Sequence, residues 1–289
     1  MAEIKAGGED ILKENMRDLT MAVDTNITLE SVILSEENRN KVEQFIKENN
    51  YRDKLIKYRL KPMNRLLFYG ASGCGKTFLA KALSNHLNYR MLYIDIAKSL
   101  SDGNVAQNIS DIFYIGNSLG NCLIFLDECD SIAWNRDSTS PDSGVIRRAT
   151  NSLFQQLDQM NDTNIFISAT NMLHRLDPAF ERRFNMKLEF KRPQMEIKEV
   201  VERFMYKEFT LLDDVNETTK RIVGGSSRNK MSFYELEDIT MRAMKRAVLN
   251  DTTTVKLSDV YNDIAVAQRI KLRFKTDADE DEIFESSIR

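Results

Sequence analysis

The sequence predicts an α/β domain followed by a smaller helical one, and three observations carry that expectation. Five short apolar runs read as strands: RLLFYG (65–70), MLYIDIA (91–97), CLIFLDE (122–128), NIFISATN (164–171) and MKLEF (186–190). Several are apolar on both faces, as strands buried in a parallel sheet are. Helical patterns such as TFLAKALSNHL (77–87) and VIRRATNSLFQQLDQM (145–160) separate most of them. Strand–helix alternation of this kind implies a layered α/β domain. After Pro193 the strand signals stop, and residues 194–210, 216–223, 232–249 and 258–273 read as helices.

Each end of the chain has its own pattern. Residues 9–24 place Leu12, Met16, Leu19 and Val23 at helical spacing, a short amphipathic segment expected to pack on its own domain. The smaller domain is punctuated by SFYE (232–235), a capping box in which Ser232 serves the amide of Glu235 and Glu235 reaches back. The end, KTDADEDEIFESSIR, is acidic and reads as a frayed tail. The resulting division is an N-terminal segment at 1–27, the α/β domain at 28–192, the helical domain at 193–273 and the acidic tail at 274–289.

Composition narrows the function classes. With 42% apolar and 29% charged residues over 289 positions, the chain is a globular protein large enough for two domains. A net charge of −3 gives no overall attraction to nucleic acid or to anionic membranes. Cys74, Cys122 and Cys129 show no paired metal-ligand spacing, and His86 and His174 are the only histidines, so no zinc site is expected. The polar, acidic start is not a signal peptide, and no apolar run approaches bilayer length, so a cytoplasmic, reducing setting is expected.

The chemistry begins at GASGCGKT, Gly70 to Thr77, which fits G-x-x-x-x-G-K-[ST] between an apolar strand and a helix. Glycines let the backbone turn tightly and bring its N–H groups to an anion, and the helix N-terminus adds partial positive charge. Gly70, Ala71, Ser72, Gly73, Cys74, Gly75, Lys76, Thr77 and Phe78 are therefore the candidate nucleotide-binding residues. Lys76 can reach the β- and γ-phosphates, and the Thr77 hydroxyl can ligate Mg²⁺. Cys74 sits inside this loop, where a small inert residue is expected rather than a redox switch.

A second constellation lies downstream. Asp127 and Glu128 end an apolar strand and would face the same crevice as the phosphate loop at the carboxyl edge of a parallel sheet. Asp127 can hold Mg²⁺, leaving Glu128 free to polarise an attacking water. Asn171 ends the next strand, where its amide can orient that water, touch the γ-phosphate or cap the following turn. Beyond it, LDPAFERRF (176–184) carries the adjacent pair Arg182 and Arg183, which need an anion or a solvated face.

In these motifs the chain resembles the AAA family of ATPases, within the wider AAA+ class. GASGCGKT matches Walker A, LIFLDE matches Walker B, SATN matches sensor 1, and LDPAFERRF matches the end of the second region of homology. The likeness covers roughly residues 28–272, with the motifs in order at proper distances. It implies a five-stranded parallel sheet in a P-loop NTPase domain, a smaller all-helical lid, and ATP bound between them. It implies a ring, usually a homo-hexamer, in which Arg182 and Arg183 reach the γ-phosphate held by a neighbouring copy. Both arginines are expected to be needed. They are adjacent here, as in the branch that includes the microtubule-severing enzymes.

Departures from the family pattern matter as well. Relatives that thread polypeptide carry an aromatic–aliphatic pair before a glycine after the second strand. SLSDGNVAQNI (99–109) puts Ser101 and Asp102 there, before Gly103, and neither grips a passing chain as an aromatic does. The start of the SFYELE helix offers no arginine of the kind some AAA+ proteins carry there. Trp134 and Arg136, just after Walker B, fall where relatives form subunit contacts, although ordinary core packing suits Trp134 equally.

The function expected is an ATP-hydrolysing remodeller of a partner protein, with substrate or adaptor supplied in trans. Two alternatives stand beside it. One is a nucleic-acid loader, for which Arg269, Lys271, Arg273 and Lys275 are more simply a solvated helix face. The other is a nucleotide-controlled assembly switch that does not thread.

Overall fold

The structure, a computed structural model, describes residues 27–96, 99, 104–133, 143–224 and 231–268. The amphipathic segment at 9–24, the Ser101–Asp102 pair, Trp134 and Arg136, the basic residues from Arg269 onward and the acidic tail all lie outside the described residues. The chain forms two compact units. One comprises the chain up to Gly70 together with Gly75–Phe190; the other comprises Ala71–Cys74 and the chain from Lys191 onward.

The larger unit opens with helices α1 (Glu36–Asn50) and α2 (Arg52–Lys57). Ser35 starts α1 by accepting from the Asn38 amide at 3.3 Å, which satisfies one of the orphan donors of a helix start. The chain then alternates: β1 (Arg65–Gly70), α3 (Lys76–His86), β2 (Arg90–Ile94), α4 (Val105–Leu119), β3 (Cys122–Leu126), α5 (Ser143–Gln159), β4 (Ile165–Thr170), the short α6 (Pro178–Glu181) and β5 (Met186–Phe190).

All five strands pair in parallel, in the order β2-β3-β4-β1-β5. The five apolar runs of the sequence are these five strands. β3 and β4 are buried along their whole length, on both faces, which is why they lack polar alternation. The principal core joins Leu67, Leu92, Ile124, Leu126 and Phe166 from the strands to Ile109 and Phe113 of α4 and Leu153 and Leu157 of α5. Aromatic rings continue this core: Phe113 meets Phe166, Phe166 meets Phe184, and Phe184 meets Phe180 edge-on at 4.9 Å.

The order places β4 between β1 and β3, so the carboxyl ends of three consecutive strands in space come from distant parts of the chain. Tyr69 pairs with Thr170, and Leu126 with Ser168, which sets the three ends at one level. In an open parallel sheet that edge is where ligands bind.

The smaller unit is mainly helical, as the sequence predicts, with one difference. Helix α7 runs only over Ile197–Phe204, not to residue 210. After it, β6 (Thr210–Leu212) pairs in parallel with β7 (Thr254–Lys256). This unit is thus mainly helical and carries one short two-stranded pairing. The sequence held the signal, because Thr252, Thr253, Thr254 and Val255 are consecutive β-branched residues that favour strand. The unit continues through α8 (Glu217–Thr219), a π-helical turn at Lys220–Gly224 and α9 (Phe233–Leu249), and a last helix, α10, follows β7 over 257–268.

The capping box at the start of α9 forms as the sequence predicts. Ser232 Oγ accepts from the Glu235 amide at 3.3 Å, and Glu235 Oε2 accepts from the Ser232 amide at 2.7 Å. The core of this unit is Val200 and Val201 of α7, Leu236, Ile239 and Ala243 of α9, Val255 of β7 and Val260 and Ile264 of α10.

Candidate functional site

β1 ends at Gly70, whose φ of 132° lies in the region that favours glycine. A Cβ there would stand 2.2 Å from the Phe190 carbonyl oxygen of the adjacent β5, so no larger residue fits the turn out of the strand. The loop ends at Gly75, with φ 95° at the N-cap of α3. Among the described residues, no heavy atom lies within 4 Å of where a Gly75 Cβ would be. α3 begins directly after this loop, and the start of a helix is a place that suits an anion.

Lys76 opens α3 and is 7% exposed. Its ammonium donates to Gly70 O at 2.8 Å and to Asn171 Oδ1 at 2.7 Å. The next residue, Thr77, donates its hydroxyl to Asp127 Oδ2 at 2.9 Å. These bonds draw the ends of β1, β3 and β4 together. A hydroxyl and a carboxylate oxygen side by side are hard oxygen ligands of the kind Mg²⁺ takes, and Mg²⁺ typically uses few protein ligands. Among the described residues, no group of three or more His, Cys, Asp or Glu side chains gathers elsewhere to hold a metal.

Asp127 is half-buried, and its second oxygen accepts from the Glu128 amide at 3.0 Å. Glu128 adopts φ 49° and ψ 43°, left-handed backbone that costs a non-glycine residue roughly 1–2 kcal/mol. Three bonds hold it there: the one to Asp127, and the Ser131 amide and hydroxyl donating to Glu128 O at 2.9 and 2.8 Å. The result is an exposed Glu128 carboxylate beside a half-buried Asp127. Such strain, held by surrounding bonds, is a mark of functional sites. No local sequence pattern marks this backbone. Nearby, burial pushes the Tyr93 phenol up from its ordinary pKa, and the charges of Asp127, Asp95 and Glu128 push it further.

Asn171 is exposed at the end of β4, and its backbone is fixed by the residue before it. Thr170 Oγ1 donates to Asp130 Oδ1 at 2.6 Å and accepts from the Met172 amide at 2.9 Å. Asp130 and Thr170 were not among the residues singled out from sequence.

The loop residues Ala71–Cys74 group with the smaller unit. There the Tyr234 amide donates to Gly73 O at 3.1 Å, and a Cβ on Gly73 would stand 2.8 Å from Ser232 Oγ. Cys74 is buried, with its thiol 3.7 Å from Ser72 O. Phe78 is exposed on the first turn of α3.

The arginine pair stands apart from these groups, at the end of α6. Asp177 caps that helix by accepting from the Ala179 amide at 2.7 Å. Arg182 is exposed, with Nε donating to Pro178 O at 3.2 Å. Arg183 is half-buried and bonded within its own chain to Asp158.

Residues 66–192 match the ATPase family associated with various cellular activities (AAA), a stretch that contains every candidate motif described above. The chain carries an AAA ATPase domain over those residues. Similar proteins align over 68% to 86% of the chain. An uncharacterized AAA family ATPase, y4kL, of Sinorhizobium fredii is 27% identical over 248 residues, 85% of this chain and 73% of that protein. A 26S proteasome regulatory subunit homolog of Methanothermobacter thermautotrophicus is 28% identical over 86% of this chain and 66% of its own length. A second such homolog, from Methanocaldococcus jannaschii, is 29% identical over 68% of this chain and 53% of its own. The chain thus spans about two thirds and about half of the two archaeal proteins. Among the described residues, no helix of this AAA protein is long and apolar enough to cross a membrane.

Proposed function

We propose that this AAA protein hydrolyses ATP to ADP and phosphate with Mg²⁺, as a cytoplasmic homo-hexameric ring that remodels or disassembles a partner protein. The observation that carries the reading is the meeting of Lys76, Asn171, Thr77 and Asp127 at the ends of β1, β4 and β3. In this reading the Gly70–Thr77 backbone cradles the phosphates, and Lys76 exchanges its bonds to Gly70 and Asn171 for phosphate oxygens. Thr77 and Asp127 would hold Mg²⁺, which neutralises charge on the phosphates. Glu128 takes the proton of the attacking water, and Asn171 holds that water in place. Arg182 and Arg183 are both needed for charge developing on a nucleotide held by another copy to be met.

The likeness to proteasome regulatory subunit homologs supports a protein rather than a nucleic acid as the substrate, with an adaptor or substrate supplied in trans. A switch that assembles without threading is the second reading, favoured by Ser101 and Asp102 standing where a gripping aromatic would be.

Glu128→Gln tests the proposal. It should bind ATP without splitting it, and with ATP its particle mass should rise to that of about six subunits. A variant that stays monomeric with ATP bound removes the trans role of the arginines from the isolated chain and moves the switch reading ahead.

A further inference from the structure

The two adjacent arginines have different environments. Arg183 is engaged on all three of its nitrogens. Nε and Nη2 donate to Asp158 Oδ1 and Oδ2 at 3.2 and 3.1 Å, a forked pair that matches both carboxylate oxygens. Nη1 donates to Ala179 O at 2.7 Å. The face of the guanidinium lies 4.2 Å from the centre of the Phe154 ring, within cation–π range. Phe154 and Asp158 are four residues apart on α5, so they present one helix face to the arginine. Phe154 in turn stacks on Phe180 of α6 at 5.9 Å. Among the described residues, the Arg182 side chain makes one bond, from Nε to Pro178 O, and its two terminal nitrogens have no partner.

We propose, resting on the trans reading above, that the pair is divided in labour. Arg182 is the residue offered to a neighbouring copy's phosphate. Arg183 is a positioning residue: it ties the end of α6 to α5 and so fixes the backbone from which Arg182 projects. For Arg183 to reach another copy it would have to leave a carboxylate, a carbonyl and a ring together. Arg182 leaves one carbonyl. Both residues are needed, as the sequence predicts, but for different reasons.

The test is steady-state ATPase kinetics on the full chain, with ATP-dependent particle mass and melting temperature measured alongside. Arg182→Ala should lower kcat on the order of 10³-fold with KM for ATP held. Arg183→Ala and Asp158→Asn should each lower kcat by a smaller, common factor of roughly 10- to 100-fold, again with KM held, as misplacement of a distant group does. The double variant should be no worse than either single, because both remove one tie. Arg183→Lys keeps the charge but not the fork, and should fall between wild type and Arg183→Ala.

The division is overturned if Asp158→Asn runs at or above the wild-type rate while Arg183→Ala falls as far as Arg182→Ala. In that case a released Arg183 is itself the contacting group. Arg183→Ala at the wild-type rate overturns it as well. Failure of the underlying trans reading looks different: Arg182→Ala itself would then keep the full rate. Should Arg183→Ala fail to fold, Asp158→Asn and Arg183→Lys carry the comparison alone.

Discussion

Lys76 Nζ donates to Asn171 Oδ1 at 2.7 Å, joining the first turn of α3 to the end of β4. In the proposed function a phosphate oxygen replaces this amide oxygen as a partner of the lysine. The two residues stand 95 positions apart in sequence, and the parallel order β3-β4-β1 brings them together.

Substitutions at Asn171 should therefore separate binding from turnover. Asn171→Ala removes one partner of Lys76, which keeps its bond to Gly70 O, so ATP affinity should change little. Turnover should fall on the order of 10²-fold, the usual loss when a preorganised polar group beside the reacting phosphate is removed. Asn171→Asp should behave otherwise. A carboxylate there pairs with Lys76 and repels phosphate, so ATP binding should weaken by roughly tenfold. Titration with a fluorescent nucleotide, beside single-turnover hydrolysis, distinguishes the two; equal affinity in both variants would sink the argument.

Thr170 braces Asn171 from behind, and the brace should be measurable. Thr170→Val keeps the shape but loses the bonds to Asp130 and to the Met172 amide. Thr170 is 1% exposed, so the abandoned groups gain little water, and the loss should be about 1–3 kcal/mol of stability. If the brace also positions Asn171, kcat should drop while KM for ATP holds. Denaturant unfolding and steady-state kinetics on the same sample check both halves, and unchanged kcat would confine Thr170 to stability.

Much of the larger unit was legible because its signals are local. Buried parallel strands write themselves as continuous apolar runs, and β3 and β4 are buried at every position. The Gly70–Thr77 loop is legible as a candidate because its residues are contiguous. What could not be read depends on contacts between distant segments or on backbone shape. The left-handed Glu128 is set by Asp127 and Ser131, and nothing in LIFLDE announces it. The tie between Arg183 and Asp158 spans 25 positions and needed α5 to lie against α6. Only the four-residue spacing of Phe154 and Asp158 hinted that they share a face. β6 and β7 are three residues each, too short for periodicity to register, and only the β-branched run at 252–255 marks β7.

Gly70 should tolerate no side chain. Alanine there meets the Phe190 carbonyl oxygen, a backbone atom that cannot move without disturbing β5, and it inherits a φ of 132°. Gly70→Ala should lose on the order of 2–4 kcal/mol of stability, within the range of strained backbone and overpacking combined. By contrast, Gly75→Ala meets nothing within 4 Å among the described residues, and its penalty is that of its φ of 95°. Melting temperatures should rank wild type, Gly75→Ala, Gly70→Ala from high to low; the reverse order of the two variants would contradict the contact with Phe190.

The cysteines should divide by burial rather than by position in sequence. Cys129 is fully buried, and burial pushes its thiol up to about 12. Burial also pushes Cys122 up, against a small opposing effect of Arg90. Only the thiolate reacts, so at pH 8 a thiol of pKa 12 presents a reactive fraction of roughly 10⁻⁴. An ordinary cysteine presents a fraction on the order of 10⁻¹ under the same conditions. Pulsed iodoacetamide labelling of the native protein at pH 8, mapped by peptide mass, should therefore leave Cys129 unmodified, with Cys122 slow. Both should label readily in urea. Cys74 is buried as well, but it belongs to the loop that meets phosphate in the proposed function, so nucleotide should lower its labelling rate further. Rapid native labelling of Cys129 would contradict its packing beneath β3 and β4, and Cys74 labelling indifferent to ATP would detach that thiol from the nucleotide.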